Sequence, residues 1–132
     1  MTTPQVGTRV VHRRYVPYSH AHYAGFLVDG AYGLGLFGDV ATEMCIRTDG
    51  DEGLFASYDD VQFLAPVRAG DVVEITCEIV RVGTRSRVLA FALSVVARGA
   101  ATETSPGAAG MLDEPILATT ATGTVVVPGA PV

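Results

Sequence analysis

The sequence predicts a single α+β domain in which an antiparallel sheet of about five strands wraps one long central helix. Apolar residues in the stretch from His22 to Arg47, HYAGFLVDGAYGLGLFGDVATEMCIR, recur at steps of three or four: Leu27, Val28, Ala31, Leu34, Phe37, Ala41 and Met44. That is helical spacing. The stretch from Asp71 to Val82 alternates instead, with Val73, Ile75, Cys77 and Ile79 opposite Glu74, Thr76 and Glu78, the period of a half-buried strand. A third observation joins the two. Gly25, Gly30, Gly33, Gly35 and Gly38 each cost about 0.5–1 kcal/mol relative to Ala inside a helix. Such a helix forms only if packing offsets that cost, and a curved sheet around it supplies the close approach.

The elements follow in order. Residues 1–8 are a small polar lead-in, expected to be mobile. Arg9 to Val16 (RVVHRRYV) mixes β-branched and long polar residues and predicts a first strand, ended by Pro17. Tyr18 to Ala21 forms a turn into the helix, with Ser19 available as its cap. Beyond the helix, TDGDEG at 48–53 is an acidic loop that lacks the alternating oxygen ligands of a calcium site, and it reads as solvated. Leu54 to Pro66 is an apolar strand with aromatic interruptions. A short AGD turn then predicts that it pairs antiparallel with the strand from Asp71 to Val82. VGTR makes a second turn into Ser86–Ala97, where Leu89, Phe91, Leu93 and Val95 oppose Val88, Ala90, Ala92 and Ser94. The segment rich in small residues from Gly99 to Asp113 predicts a long flexible loop, and Ile116 to Val127 a last strand. No internal repeat or second domain is visible, so residues 1–132 read as one unit.

Composition narrows the function classes. The chain has 132 residues, 48% of them hydrophobic and 17% charged, with a formal charge of -5. An acidic surface excludes nucleic acid as the main partner, because phosphate binding needs basic residues. So apolar a chain also has surface to bury against a second copy of itself. No apolar run is long enough to span a membrane, and MTTPQVGTRVVHRRY lacks the hydrophobic core of a signal peptide; a cytoplasmic protein is expected. Cys45 and Cys77 have neither disulfide-framework nor metal-type spacing and read as reduced and buried. The sequence shows no Gly-rich phosphate loop, nucleophile elbow or metal-ligand cluster.

The blocks HYAGFLVDGA, LFGDVATEM, DGDEGLFASYDDVQFLAPVRAGD, EIVRVGTRSR and ATGTVVVP resemble consecutive blocks of the 3-aminobutyryl-CoA (β-aminoacyl-CoA) ammonia-lyase family, and cover nearly the whole chain. FLAPVRAGD alone is weakly specific, since many hot-dog thioesterases carry something like it. Its combination with HYAGFLVDGA, LFGDVATE and DGDEGLF is far more so. The resemblance implies a hot-dog fold, a homodimer or higher homo-oligomer with pockets at subunit boundaries, and addition or removal of ammonia, or a related small amine, at the β carbon of an acyl-CoA. Coenzyme A then enters as part of the substrate, with no tightly bound cofactor. Two residues depart from the family pattern: Phe26, where a small or polar residue is expected, and Gln62, where an acidic one is common.

Ammonia elimination from a β-aminoacyl thioester needs a base for the α proton, a donor for the enolate oxygen and a group that serves the leaving amine. A helix N-terminus offers unpaired N–H groups and the positive dipole end, and Gly25 would let a ligand approach that backbone. Asp29, placed one turn into the helix, is the natural carboxylate for proton transfer, against the plain alternative that it only complements the helix dipole. His22, two helical turns earlier and about 10 Å away along the axis, could exchange protons with the amine or carbonyl, or be a hydrogen-bonded residue at the helix entrance. Tyr23 could join them or simply pack. Phe26, on nearly the same helical face as Asp29, is expected to line the acyl pocket. Glu43 lies roughly 21 Å beyond Asp29 along the axis and is expected to pair with Arg47. Arg81, Arg85 and Arg87 crowd one turn; of these Arg85 and Arg87 are the candidates for the phosphates of coenzyme A, against the plain alternative of a charged turn.

The same residues fit two other functions. A hot-dog acyl-CoA thioesterase would use Asp29 to activate water or attack the carbonyl, releasing free thiol. A non-catalytic acyl-CoA or small-molecule binding protein would show no turnover to lose on Asp29→Asn.

Overall fold

In a computed structural model that describes residues 3–129, the chain runs β1 (Arg9–Tyr15), β2 (Ala21–Tyr23), β3 (Leu27–Val28), α1 (Gly30–Asp49), β4 (Leu54–Phe63), β5 (Val72–Val82), β6 (Ser86–Gly99) and β7 (Ala109–Val126). β1, β5, β6, β7 and β4, in that order, make one sheet, every neighbouring pair antiparallel. β2 and β3 form a separate small ribbon. Residues 1–2 of the expected lead-in, and 130–132, lie outside the described residues.

The alternation read from sequence is the alternation of the core. Val73, Ile75, Cys77 and Ile79 on β5, and Leu89, Phe91, Leu93 and Val95 on β6, turn inward and are buried. They meet Leu36, Phe37, Val40, Ala41, Met44 and Cys45, the buried side of α1. Phe37 stacks on Phe91 with centroids 4.9 Å apart. One long helix against the concave face of one sheet is the expected architecture. Both cysteines are buried, and burial pushes the Cys45 thiol up to about 11 and Cys77 up to about 12. Neither is a nucleophile at neutral pH.

Four local expectations change. The helix starts at Gly30, not His22. Gly25 adopts φ 76° and Phe26 φ 61°, left-handed values that no α-helix contains, and Leu27–Val28 are extended. The Val28 N–H bonds to the Val67 carbonyl at 2.9 Å, so apolar residues at helical spacing belong to a strand here. Ser19 is consequently not the helix cap; it sits inside a short 3₁₀ turn, Tyr18–His20.

β4 does not pair with β5. The local turn exists, with the Asp71 N–H 3.0 Å from the Arg68 carbonyl, but the chain on either side of it is claimed by different partners. Leu64 and Ala65 donate to the Ala118 carbonyl at 2.7 and 3.2 Å, extending the β4–β7 ladder, while the Val16 N–H donates to the Asp71 carbonyl at 2.8 Å. Residues 64–71 therefore cross the end of the sheet.

The fourth change is the long loop, which is shorter than 99–113. Ala97, Arg98 and Gly99 pair with Met111, Gly110 and Ala109, so β7 begins well before Ile116 and the hairpin tip is 100–108. Backbone pairing does not need apolar side chains, and this arm of the hairpin is largely exposed.

Candidate active site

The site is built where β2, β3 and the start of α1 meet the crossing segment 64–71. The ribbon Ala21–Val28 doubles back on itself, Ala21 opposite Val28 and Tyr23 opposite Leu27. Asp29 follows directly as the residue that caps α1: its backbone is extended, and its Oδ1 accepts the Tyr32 N–H at 3.2 Å. Tyr32 is thus supplied with a partner at the first turn, while Gly30 and Ala31 keep N–H groups that no residue of the helix can accept.

His22 and Asp29 do come together, though by the ribbon and not by two turns of helix. His22 Nδ1 lies 3.8 Å from Asp29 Oδ2, too long for a hydrogen bond but close enough for an ion pair with imidazolium. The His22 ring meets Tyr23 edge-on at 4.7 Å. Asp29 and Tyr23 line a cavity of about 410 Å³ whose other walls include Val28, Gly30, Gly33, Phe63, Val67, Leu93 and Thr119. The Phe63 ring lies directly on the helix start: a methyl group at Gly30 would fall 2.5 Å from its Cε1. Glycine at that position is what lets an aromatic ring cover the helix N-terminus.

Gly25 and Phe26 lie elsewhere. Both border a second cavity of about 510 Å³ together with Tyr15, Tyr18, Arg68 and Arg98. The Phe26 ring packs edge-on against Tyr18 with centroids 6.2 Å apart. The expectation that Phe26 shares a helical face with Asp29 fails because neither residue is inside the helix. Gly25 is explained by its left-handed φ. Gln62 hydrogen-bonds Asp60 through its amide, 3.0 Å, and is absent from the Asp29 cavity wall.

The arginine turn sits at the far end of the helix. Arg87 is buried and donates to Asp49 Oδ1 at 2.8 Å, the Gly83 carbonyl at 3.1 Å and the Ser86 carbonyl at 2.9 Å. This tie fastens the last turn of α1 to the β5–β6 hairpin, so within one chain Arg87 is committed to structure and does not reach Asp29. Arg85 lies against Gly129 at the same end. A 20-residue helix, Gly30–Asp49, is about 30 Å long.

Two tyrosines near this site, Tyr32 and Tyr58, had no distinguishing signal in the sequence. The Tyr32 ring leans on His20, centroids 4.2 Å apart, and burial raises its phenol above the ordinary value, helped by Asp39 and opposed by Arg14. Tyr58 donates its hydroxyl to the Leu34 carbonyl at 2.6 Å; burial first, then Asp39, pushes it up to about 12, which removes it from acid–base work near neutrality. Glu43 pairs with Arg47 at 2.7 Å, as spacing predicts, and also takes a hydrogen bond from His12 Nε2 at 2.8 Å. That bond from β1, more than the Arg47 pair, holds the Glu43 carboxyl below its ordinary value.

A lowered folded-state value means the stabilisation is complete above the unfolded carboxylate pKa of about 4.3 and is lost as pH falls through the lower folded value. Glu43→Gln is therefore expected to be less stable than wild type at neutral pH. The gap should close as urea titrations are taken below about pH 4. Among the described residues no group of three or more His, Cys, Asp or Glu side chains could hold a metal, and no helix is long and apolar enough to cross a membrane.

Comparison with known proteins places this geometry. A family model described as the thioesterase superfamily matches residues 30–94. The chain is 50% identical over 110 residues to the 3-aminobutyryl-CoA ammonia lyase of Acetoanaerobium sticklandii, an alignment that spans 82% of this chain and 85% of that protein. It superposes on the β-alanyl-CoA:ammonia lyase of Clostridium propionicum with a TM-score of 0.86 at 38% identity, covering 93% of this chain and 87% of that one. A hexameric hotdog-fold thioesterase of Campylobacter jejuni matches with a TM-score of 0.72 over 89% of this chain and 81% of its own. At 19% identity it shares the fold alone. On identity and coverage together, the chain belongs to the hot-dog family of 3-aminobutyryl-CoA and β-alanyl-CoA ammonia lyases.

Proposed function

We propose that the protein is a carbon–nitrogen lyase that removes ammonia from, or adds it to, the β carbon of a short β-aminoacyl-CoA thioester. One observation carries the residue assignment: a carboxylate that caps a helix also borders an apolar cavity, with an imidazole 3.8 Å away. In the elimination, Asp29 Oδ2 takes the α proton, and the C–H electrons pass into an enolate whose oxygen rests on the Gly30 and Ala31 N–H groups. The enolate collapses, the Cα–Cβ double bond forms, and the C–N bond breaks. His22 supplies the proton that a departing amine needs to leave as ammonia. Addition is the reverse. Tyr23 orients the imidazole by its edge contact.

The Phe63 ring, Leu93, Val28 and Val67 give the cavity apolar walls, which suit a short hydrocarbon chain and exclude water from the enolate. Coenzyme A is carried as the substrate's handle. Arg85, a helix length away, serves its phosphates only at a site shared with a second subunit, and Gly25 and Phe26 border the acyl-CoA path rather than the reacting carbons. We accordingly assign a homo-oligomeric working state. The exposed Leu54 and Phe63 on edge strand β4, with exposed Leu64 directly after it, support it, because an apolar strand edge left open invites pairing with another chain. A cytoplasmic setting fits a soluble thioester substrate.

The test is product identity. With 3-aminobutyryl-CoA the expected product is an enoyl thioester, seen by its ultraviolet absorbance, with no free thiol. Release of thiol without enoyl product would make the protein a thioesterase; tight binding without turnover would make it a binding protein.

A further inference from the structure

Phe63, Thr119 and Leu93 stand directly across from one another on β4, β7 and β6. Residues paired in this way point to the same face of the sheet, and all three line the Asp29 cavity. Thr119 is the polar member of the row. It is 5% exposed, yet its hydroxyl has no hydrogen-bond partner among the described residues. The oxygen is not sealed away either. Among the described residues, the fully enclosed side-chain polar atom without a partner is Arg87 Nε, so Thr119 Oγ1 opens onto the cavity. A methyl group at Gly33 would lie 3.9 Å from that oxygen, which sets it against the first turn of α1.

A buried hydroxyl without a protein partner is costly to keep unless something else bonds it. Within the lyase reading, on which this inference rests, the other polar atoms of the acyl group already have partners. The thioester oxygen has the Gly30 and Ala31 N–H groups, and the α proton has Asp29. The β-nitrogen has His22 as a proton donor, but its own N–H groups still need an acceptor, and the apolar walls formed by Phe63, Leu93, Val28 and Val67 offer none.

We propose that the Thr119 hydroxyl accepts a hydrogen bond from the β-nitrogen of the bound thioester and so selects β-aminoacyl chains over plain acyl chains of the same length. A hydroxyl suits both states of that nitrogen. It accepts from an ammonium N–H, and it can rotate to donate to the lone pair that free ammonia carries.

The experiment compares Thr119→Val, which swaps the hydroxyl for a methyl at similar volume, with Thr119→Ser, which keeps it. Affinities for 3-aminobutyryl-CoA and butyryl-CoA are measured by calorimetry in an Asp29→Asn background, where turnover is suppressed and the helix cap is retained. The expected result is a loss of about tenfold or more for 3-aminobutyryl-CoA in Thr119→Val. Butyryl-CoA should stay within about twofold of its starting affinity, and Thr119→Ser should restore most of the amino ligand's affinity. Equal losses for the two ligands, or no loss for either, would overturn the assignment. The lyase reading stands or falls separately, on whether the wild-type protein makes crotonyl-CoA from 3-aminobutyryl-CoA. A selective loss of the amino ligand assigns Thr119 in either case.

Discussion

Asp29→Asn is expected to lower turnover of β-aminoacyl-CoA by about two to four orders of magnitude, the range of a positioned general acid–base group, and to leave the fold as stable as before. The second half follows from the cap. Asp29 Oδ1 holds the Tyr32 N–H, and an asparagine carbonyl oxygen does the same at nearly equal strength. What asparagine cannot do is take a proton. Asp29→Ala separates the two roles, since it loses the base and also the cap, adding a stability loss of about 1 kcal/mol. The checks are steady-state rates followed by enoyl absorbance, and urea midpoints for all three proteins. Near wild-type turnover in Asp29→Asn would leave Asp29 as a helix cap and move the proton transfer to another group.

Arg98→Ala should be the most damaging single change to stability, at about 3–5 kcal/mol, the scale for breaking a buried ion pair by removing one partner. Asp71 is 0% exposed and is held by Arg98 Nε at 3.0 Å, Arg98 Nη2 at 2.8 Å and the Arg68 N–H at 2.8 Å. Arg98 also donates to the Pro66 carbonyl at 3.1 Å. This one guanidinium therefore ties the crossing segment 64–71 to β6, and that segment supplies walls to both cavities. Removing it strands a carboxylate away from water. Thermal unfolding should fall by more than about 10 °C. The double variant Arg98→Ala/Asp71→Ala should recover part of the loss, because it leaves no unpaired charge inside. An Arg98→Ala midpoint within about 1 °C of wild type would mean the pair contributes little.

The parts of the fold legible in sequence are those set by burial at short range. Val73 to Ile79 and Leu89 to Val95 alternate because one face of each strand is buried against the helix. The helix body was legible for the same reason. Its start was not. Leu27 and Val28 carry apolar side chains at helical spacing, but the left-handed backbone of Gly25 and Phe26 and the bond to Val67 make them a strand. Asp29 three residues before Tyr32 was the available cap signal, and the periodicity running through it masked it. The partner of β4 is not legible locally, because the tight turn at Arg68–Asp71 is a local fact, whereas pairing with β7 is decided by residues distant in sequence.

The candidate site divides along the same line. Asp29, His22 and Tyr23 gather because they are close along the chain, brought together by the β2–β3 ribbon and not by a helix. In sequence Arg87 looks free to hold phosphate, because its partner Asp49 lies on another element. Thr119 is one of several threonines in ATTATGT, and only its register with Phe63 and Leu93 marks it out.

The central claim is that this cavity makes and breaks a carbon–nitrogen bond while leaving the thioester intact. The most direct test incubates the wild-type protein with crotonyl-CoA and acrylyl-CoA in isotopically labelled ammonia and reads the intact thioesters by mass spectrometry. Label should appear in a β-aminoacyl-CoA product, at a rate that collapses in Asp29→Asn. Free coenzyme A with no labelled thioester would contradict the account.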